Sequence, residues 1–211
     1  MAAAGRRQII LWCGALALPF FACAGQQYEE MSESVRWSLR QQILSPVLSY
    51  PPILVFSTEE EGQRWLDSMS ERLAKILPSR SILQDEETRR DFLTAVHYEA
   101  TRAGIDPQLM LAVMHVESAF RKYAISIAGA RGLMQVMPFW TKEIGDSDAR
   151  QLFQLRANLR YGAVILRHYL DIEKGDLTRA LARYNGSLGS AKYPNMVYEK
   201  LSKHWQWRPQ G

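Results

Sequence analysis

Apolar residues recur every three or four positions along most of the chain, which is the spacing that puts them on one face of an α-helix. A clear example runs from Phe92 through Val96 to Ala100, with Asp85 before it as a candidate N-cap and Gly104 after it as a helix-ending glycine. Strict alternation of apolar and polar residues, which is typical of half-buried strands, is weak throughout. The sequence therefore predicts a mainly α fold.

One predicted helix is apolar nearly all round. Asp106 and Pro107 supply its N-cap and a proline at the first helical position, and the run Leu109–Val116 follows. A helix without a polar face has to be buried, so we expect this helix to lie at the centre of the fold. It ends at Glu117, which places a carboxyl group at the C-terminal end of a buried helix.

Similar patterns predict the other elements. Ser57 and Glu60 form a candidate capping box for a helix that runs to about Ile76. The stretch Tyr123–Val136, with two glycines, is predicted as a structured loop. Further helices are predicted from Tyr28 to Gln41, from Leu155 to Leu170, after the cap Asp176, and from Asn195 to Trp205.

The first 24 residues differ from the rest of the chain. Two arginines precede the apolar run Ile9–Phe21, and Ala22–Ala24 matches the small-x-small pattern of a signal-peptidase site. We interpret residues 1–24 as a signal peptide, which predicts export to the periplasm. If Cys23 were lipidated the chain would be attached to a membrane, but the residues before it form a poor lipobox.

The rest of the chain is predicted to contain two units. Residues 25–84 form an N-terminal extension that is mostly helical, and no catalytic motif occurs in it. Residues 85–211 form the main helical domain and contain the apolar helix that ends at Glu117. The expected role of the extension is to pack against this domain.

Charge and cysteine content exclude several function classes. The formal net charge is +4 and no dense basic face is visible, so we expect no nucleic-acid partner. Cys13 and Cys23 both lie in the predicted signal peptide. The H-x-E patterns at His97–Glu99 and His115–Glu117 also occur in zinc deaminases, but those enzymes need a P-C-x-x-C block that this chain lacks. We expect neither a metal nor an organic cofactor.

Glu117 is the strongest candidate for chemistry. Burial beside Val113, Met114 and Phe120 should disfavour its charged form, and the negative end of the helix dipole should do the same. Both effects predict a raised pKa, and a protonated glutamic acid is what protonation of a glycosidic oxygen requires. From spacing alone, the alternative is a glutamate that turns out into solvent at a helix end.

Three short sequence motifs, the first of which begins at Glu117, occur in a fixed order along the chain. Glu117–Phe120 begins with an E-S pair, Gly129–Pro138 contains G-L-M-Q-x-M-P, and Ala182–Gly186 contains an altered Y-N-x-G. Together they resemble the soluble lytic transglycosylase family over about residues 88–205. The resemblance implies a lysozyme-like helical domain, here with an N-terminal helical extension. It also implies peptidoglycan glycan strands as the substrate.

Roles for single residues follow from the same resemblance. It implies that Glu117 is the single catalytic acid and base, that Tyr184 hydrogen-bonds near it, and that Asn185 fixes the loop or contacts substrate. The full set of residues implied in substrate binding is Ser118, Ser126, Gln135, Met137, Tyr184 and Asn185.

The implied reaction cuts the β-1,4 bond between N-acetylmuramic acid and N-acetylglucosamine and leaves a 1,6-anhydro end. Glu143, Asp146 and Asp148 follow the second block and are expected to be helix-end or loop charges, so no second catalytic carboxylate is evident. Two alternatives stay open. One is a hydrolytic muramidase, which would have to position a water, and the other is a non-catalytic peptidoglycan-binding module.

Overall fold

The computed structural model describes residues 25–45 and 54–208. Within these ranges the chain forms eight α-helices, short 3-10 and π turns and isolated β-bridges, without a β-strand. The helices are α1 (Glu33–Leu44), α2 (Glu59–Ile76), α3 (Glu86–Arg102), α4 (Pro107–Glu117), α5 (Phe139–Ile144), α6 (Leu155–Ile172), α7 (Leu177–Asn185) and α8 (Lys192–Lys200). The mainly α prediction is confirmed. The predicted signal peptide lies outside the described residues.

Aspartate residues are the N-caps of three of these helices, as the sequence predicts. Asp85 accepts from the backbone N–H of Thr88 at 2.8 Å to begin α3. Asp106 caps α4 and Asp176 caps α7 in the same way. Each cap satisfies a backbone N–H that has no partner within the helix, so these starts are fixed by local sequence.

The capping box of α2 is shifted by one residue from its predicted position. Thr58, not Ser57, is the N-cap: its Oγ1 accepts from the backbone N–H of Glu61 at 3.1 Å. The Glu61 carboxylate in turn accepts from the backbone N–H of Ser57 at 3.3 Å. Thr58 has the extended backbone that an N-cap needs, with φ −137° and ψ 155°.

The last helix also differs from its prediction. It begins at Lys192 and ends at Lys200, and a π turn, Leu201–Trp205, follows. In a regular α-helix eight residues would place Trp205 about 80° around the axis from Val197. The wider π turn reduces that offset, and both side chains are fully buried.

Helix α4 lies at the centre of the fold, as its composition predicts. Its side chains from Met110 to Met114 have no exposed surface. It packs against α3, α8 and the π turn Leu201–Trp205. Because neighbouring elements enclose α4 on several sides, Glu117 at its C-terminal end lies in the interior of the molecule.

The N-terminal extension packs against the rest of the chain. Helix α2 contacts α3, while α1 contacts α5 and α6. The ring of Phe56 stacks on His97 with centroids 4.6 Å apart, and Trp65 meets the same imidazole edge-on at 5.0 Å. None of the described helices is both long enough and apolar enough to cross a bilayer. The domain division near residue 84 stays a prediction.

A buried carboxylate links the extension to the main helices. Glu99 of α3 is 1% exposed and pairs with Arg160 at 3.1 Å and with Arg156 at 3.4 Å, both on α6. Arg160 also donates to the backbone carbonyls of Ile43 and Ser45, at the C-terminal end of α1. The Glu99 cluster therefore joins α1, α3 and α6.

Candidate active site

The polypeptide turns sharply immediately after Glu117. Ser118 is the C-cap of α4, and the next two residues, Ala119 and Phe120, have φ of 48° and 62°. Left-handed backbone at non-glycine residues is strained, and it persists only where the surroundings hold it. Here the Phe120 ring is buried and packs edge-on against Trp205 at 5.5 Å, which holds the turn in place.

The side chain of Glu117 is enclosed, with 9% of its surface exposed. Its Oε1 accepts a hydrogen bond of 2.7 Å from the hydroxyl of Tyr193, on α8. Tyr193 is itself 5% exposed. The two conditions behind the predicted acid, burial and a position at the C-terminal end of a helix, are therefore both present. The alternative of a glutamate that points out into solvent is excluded.

Sequence reasoning did not identify Tyr193. The residue lies outside the three motif blocks, and the last helix was predicted to begin only at Asn195. A tyrosine combines an apolar ring, which favours burial, with a hydroxyl that needs a partner, but this is true of many tyrosines and does not indicate a catalytic role. Only the packing of α8 against α4 brings its hydroxyl to Glu117.

The hydroxyl of Ser118 serves the end of α4. It donates to the backbone carbonyl of Met114 at 3.2 Å, and the side chain is 1% exposed. The Arg121 Nε donates to the Ser118 carbonyl at 3.0 Å. These contacts stabilise the strained turn beside Glu117. The predicted role of Ser118 in substrate binding stays a prediction.

The loop from Tyr123 to Val136 is tied together by the side chain of Gln135. This residue is 3% exposed and has φ 48°, and its amide donates to the carbonyls of Gly132 at 2.9 Å and Ala124 at 3.2 Å. Ser126, which is half-buried, accepts from the backbone N–H of Ala130 at 3.1 Å. Both predicted binding residues thus shape the loop.

Asn158 of α6 anchors the G-L-M-Q block from behind. Its Oδ1 accepts from the backbone N–H of Met134 at 2.8 Å, while its Nδ2 donates to the carbonyls of Arg131 and Leu152. Gly132 is required here because its φ is 77° and a Cβ would lie 2.4 Å from Asn158 Nδ2.

Tyr184 joins the third block to the second. It is fully buried, and its hydroxyl donates to the backbone carbonyl of Met134 at 2.7 Å. Glu117 accepts its 2.7 Å hydrogen bond from the hydroxyl of Tyr193. Burial and the nearby charge of Glu117 hold the pKa of Tyr184 well above its usual value. Asn185 follows as the last residue of α7 and is 8% exposed.

Met137 marks a contact that the sequence did not indicate. Its backbone N–H donates to the side-chain oxygen of Gln26 at 2.8 Å, and the Gln26 amide donates to the carbonyl of Gln135 at 3.1 Å. Gln26 is 4% exposed, although it belongs to the extension. The Met137 side chain is half-buried next to Gly25.

The acidic residues after the second block have local partners. Glu143 pairs with Arg36 of α1 at 3.1 Å. Asp146 accepts from the backbone N–H of Asp148, and Asp148 pairs with Arg150 at 2.9 Å. The described parts of the chain contain no cluster of three or more histidine, cysteine or acidic side chains that could hold a metal ion.

Comparison with known proteins adds the family. A family model described as "Transglycosylase SLT domain" matches residues 94–206, which include Glu117, Gln135, Tyr184 and Tyr193. The chain is 25% identical to "Membrane-bound lytic murein transglycosylase C" of Photorhabdus laumondii over 181 residues, 79% of this chain and 48% of that protein.

Two further relatives match shorter stretches. "Transglycosylase" of Enterobacteria phage PRD1 is 37% identical over 105 residues, 46% of this chain and 38% of the phage protein. The "Membrane-bound lytic murein transglycosylase C" of Actinobacillus pleuropneumoniae serotype 5b is 53% identical over 53 residues, 25% of this chain and 14% of that protein.

The matched stretches span at most about half the length of these three relatives. The family model, in contrast, matches more than half of the present chain, and it covers the three motif blocks and the helices that position them. The lysozyme-like helical fold predicted from the motifs is confirmed by this match. The chain belongs to the transglycosylase SLT domain family.

Proposed function

We propose that this protein is a peptidoglycan lytic transglycosylase that uses Glu117 as its catalytic acid and base. The observation that carries the proposal is a carboxyl group buried at the end of α4 and hydrogen-bonded by Tyr193, in a chain of this family. The names of the relatives, lytic murein transglycosylase C and a phage transglycosylase, support the same reaction class.

The proposed first step is a proton transfer. Glu117 donates its proton to the oxygen that leaves C1 of N-acetylmuramic acid, and the β-1,4 bond to N-acetylglucosamine breaks. The sugar's own acetamido group stabilises the cationic centre at C1, as in substrate-assisted glycosidases. The Tyr193 hydroxyl holds Oε1 of Glu117 in a fixed orientation, which matters because proton transfer depends on geometry.

The second step closes a ring. Glu117, now ionised, removes the proton from the C6 hydroxyl of the same muramic acid residue, and the C6 oxygen forms a bond to C1. The product is a 1,6-anhydro end, and Glu117 regains its proton. The attacking group belongs to the substrate, so this route needs no ordered water and no second carboxylate.

The acidic residues near the second block support this route over hydrolysis. Glu143 forms an ion pair with Arg36, and Asp148 forms an ion pair with Arg150. Asp146 accepts from the backbone N–H of Asp148. These groups serve the loop and its helix ends, so Glu117 remains the candidate for both proton transfers.

Product analysis tests the reaction. The exported protein is incubated with purified sacculi, and the released muropeptides are analysed by mass spectrometry. We expect 1,6-anhydromuramic acid ends, and we expect Glu117→Gln to abolish them. Glu199→Gln is the matched control, because Glu199 is exposed and pairs only weakly with Lys203 on the surface.

Each alternative has its own result in this experiment. Reducing muramic acid ends in place of anhydro ends would make the protein a hydrolytic muramidase. Binding to sacculi without any release, by both the parent chain and Glu117→Gln, would make it a non-catalytic binding module.

The location proposed for this activity is the periplasm, where peptidoglycan is accessible. It is supported by the signal-peptide pattern of residues 1–24. Cell fractionation and the intact mass of the mature protein test it: a chain that begins at Gly25 in the periplasmic fraction is expected. A lipid-modified Cys23 in the membrane fraction, or an uncleaved chain, would contradict it.

A further inference from the structure

The first described residues of the chain lie across two of the motif blocks. Gln26 contacts the backbone of Gln135 and Met137 in the second block. The Gln27 amide donates to the carbonyl of Gly186, the last residue of the third block, at 3.3 Å. We call residues 25–29 the N-terminal segment; it bridges the blocks that are predicted to bind sugar.

Two further contacts hold the N-terminal segment in place. Glu29 accepts from Arg183 of α7 at 2.5 and 2.7 Å. The ring of Tyr28 meets Phe139 edge-on, with centroids 5.8 Å apart. Gly186 has φ 76°, and a Cβ there would lie 2.1 Å from the carbonyl oxygen of Gly25, so the segment packs directly on the backbone of this turn.

The Gln26 side chain occupies a short backbone edge. The N–H and C=O of Val136 are both paired with Arg131, at 3.0 and 2.9 Å. The flanking groups, the carbonyl of Gln135 and the N–H of Met137, are then left for a partner outside the loop. Gln26 pairs with both, through its amide N–H and its amide oxygen.

That pair of groups has the chemistry of an acetamido-binding site. An acetamido group carries one N–H donor and one C=O acceptor on neighbouring atoms, and the Gln26 carboxamide offers the same combination. Peptidoglycan carries an N-acetyl group on every sugar of its glycan strand. A sugar acetamido group is a trans secondary amide, so its N–H and C=O point in opposite directions and it would bond either the carbonyl of Gln135 or the N–H of Met137. Gln26 occupies both groups, so the sugar and the Gln26 side chain cannot bind this edge together.

We propose that the N-terminal segment is a pseudosubstrate: Gln26 occupies the position of a sugar acetamido group on the Gln135–Met137 edge, and the segment must leave before a glycan strand can bind. This inference rests on the proposed function, because it takes the Gln135–Met137 edge as part of the site that binds the glycan strand. The segment is held by hydrogen bonds, by the Tyr28–Phe139 ring contact and by an ion pair whose Glu29 side chain is 42% exposed, and a glycan strand or a partner would have to replace these contacts.

Sugar binding without turnover tests the proposal. The probe is the tetramer of N-acetylglucosamine, and calorimetry measures its affinity for the exported protein carrying Glu117→Gln. Gln26→Ala is then added to that background. If the segment is closed in most molecules, only the open fraction can bind the tetramer. Opening the segment in all molecules raises the apparent affinity by the inverse of that fraction, and we expect an increase of about tenfold or more.

Controls separate the acetamido effect from general loosening. The deacetylated tetramer of glucosamine should bind the Gln26→Ala protein more weakly than the acetylated tetramer does, because it lacks the group that bonds the freed edge. Gln63→Ala, at an exposed position of α2, should leave both affinities unchanged. Glu29→Gln weakens the segment from its other end and should raise the affinity for the acetylated tetramer as well, and thermal unfolding checks that each variant is folded.

The outcomes distinguish this inference from the proposed function. Equal or weaker binding of the acetylated tetramer by Gln26→Ala and Glu29→Gln overturns the pseudosubstrate, while anhydro products from the parent chain would leave the proposed function intact. If no variant binds the tetramer and no muropeptides are released, both proposals fail.

Discussion

The hydroxyl of Tyr193 lies 2.7 Å from Oε1 of Glu117, although the two residues are 76 positions apart in the chain. One residue ends α4 and the other lies in the first turn of α8. Both are largely buried, so the hydrogen bond forms in a region of low dielectric, where it is stronger and more directional than in water. The orientation of the proposed catalytic carboxyl group is thereby coupled to the position of α8.

Tyr193→Phe tests this coupling. The substitution keeps the ring and removes the donor, so the Glu117 carboxyl loses an orienting contact. We expect kcat on peptidoglycan to fall by about 10- to 100-fold with KM nearly unchanged, because misplaced catalytic groups cost rate more than binding. Steady-state kinetics measure both values.

The matched control is Tyr198→Phe on the same helix, whose hydroxyl bonds Thr178 on the surface. It should retain parent kinetics. A Tyr193→Phe enzyme with unchanged kcat would show that the hydrogen bond does not position Glu117 for the reaction.

Asn158→Ala should destabilise the motif loop. The change leaves the buried N–H of Met134 and the carbonyl of Leu152 without the Asn158 side chain, and the carbonyl of Arg131 keeps only its bond from the Val136 N–H. We expect the free energy of unfolding to fall by about 3 kcal/mol, since unsatisfied buried groups carry their full desolvation cost. Urea unfolding measures this, with exposed Asn195→Ala as the control near zero; a loss below about 1 kcal/mol would contradict the anchoring role.

Glu99→Gln should loosen the contact between the extension and the main helices. It removes one charge from a cluster in which Glu99 is 1% exposed, and it leaves Arg156 and Arg160 without their anionic partner. Breaking a buried pair in this way typically costs about 3 kcal/mol or more. The control is Glu71→Gln, which breaks an exposed pair with Lys75 and should change stability by less than about 0.5 kcal/mol. Equal effects of the two variants would refute the role of the cluster.

Acid should destabilise the fold through its buried histidines. Burial lowers the pKa of His97 to about 4, and burial together with Lys200 lowers the pKa of His115 to about 4. In the unfolded chain a histidine titrates near 6.5, so between pH 6.5 and 4 the unfolded state binds more protons and stability falls as the pH falls. For His97, which is 3% exposed, we expect a loss of about 2 kcal/mol by pH 5.

The His97→Phe variant provides the comparison for that pH profile. It keeps an aromatic ring between Phe56 and Trp65 and removes the titrating group. Its stability should depend less on pH over the window from 6.5 to 4, as measured by urea unfolding at several pH values. A profile parallel to that of the parent chain would show that His97 does not carry the effect.

Much of the fold was predictable because its determinants are local. The caps Asp85, Asp106 and Asp176 act on backbone groups two or three residues away, and periodic apolar residues define each buried face within one helix. The error of one residue at Thr58 arose because two adjacent hydroxyl residues both fit the pattern. The hydrogen bond from the Glu61 N–H and the extended backbone of Thr58 identify Thr58 as the cap.

By itself the sequence determined the helical class, the buried helix that ends in Glu117, and the motif loop, because composition and short-range hydrogen bonding are enough for these. Tertiary structure decided which hydroxyl reaches Glu117, what Tyr184 bonds, and where Gln26 lies. Those contacts join residues 50 to 109 positions apart, and no local rule specifies which distant helix or segment packs at a given place. The packing of α7, α8 and the N-terminal segment around α4 and the loop supplies that information, and with it the geometry on which the proposed chemistry depends.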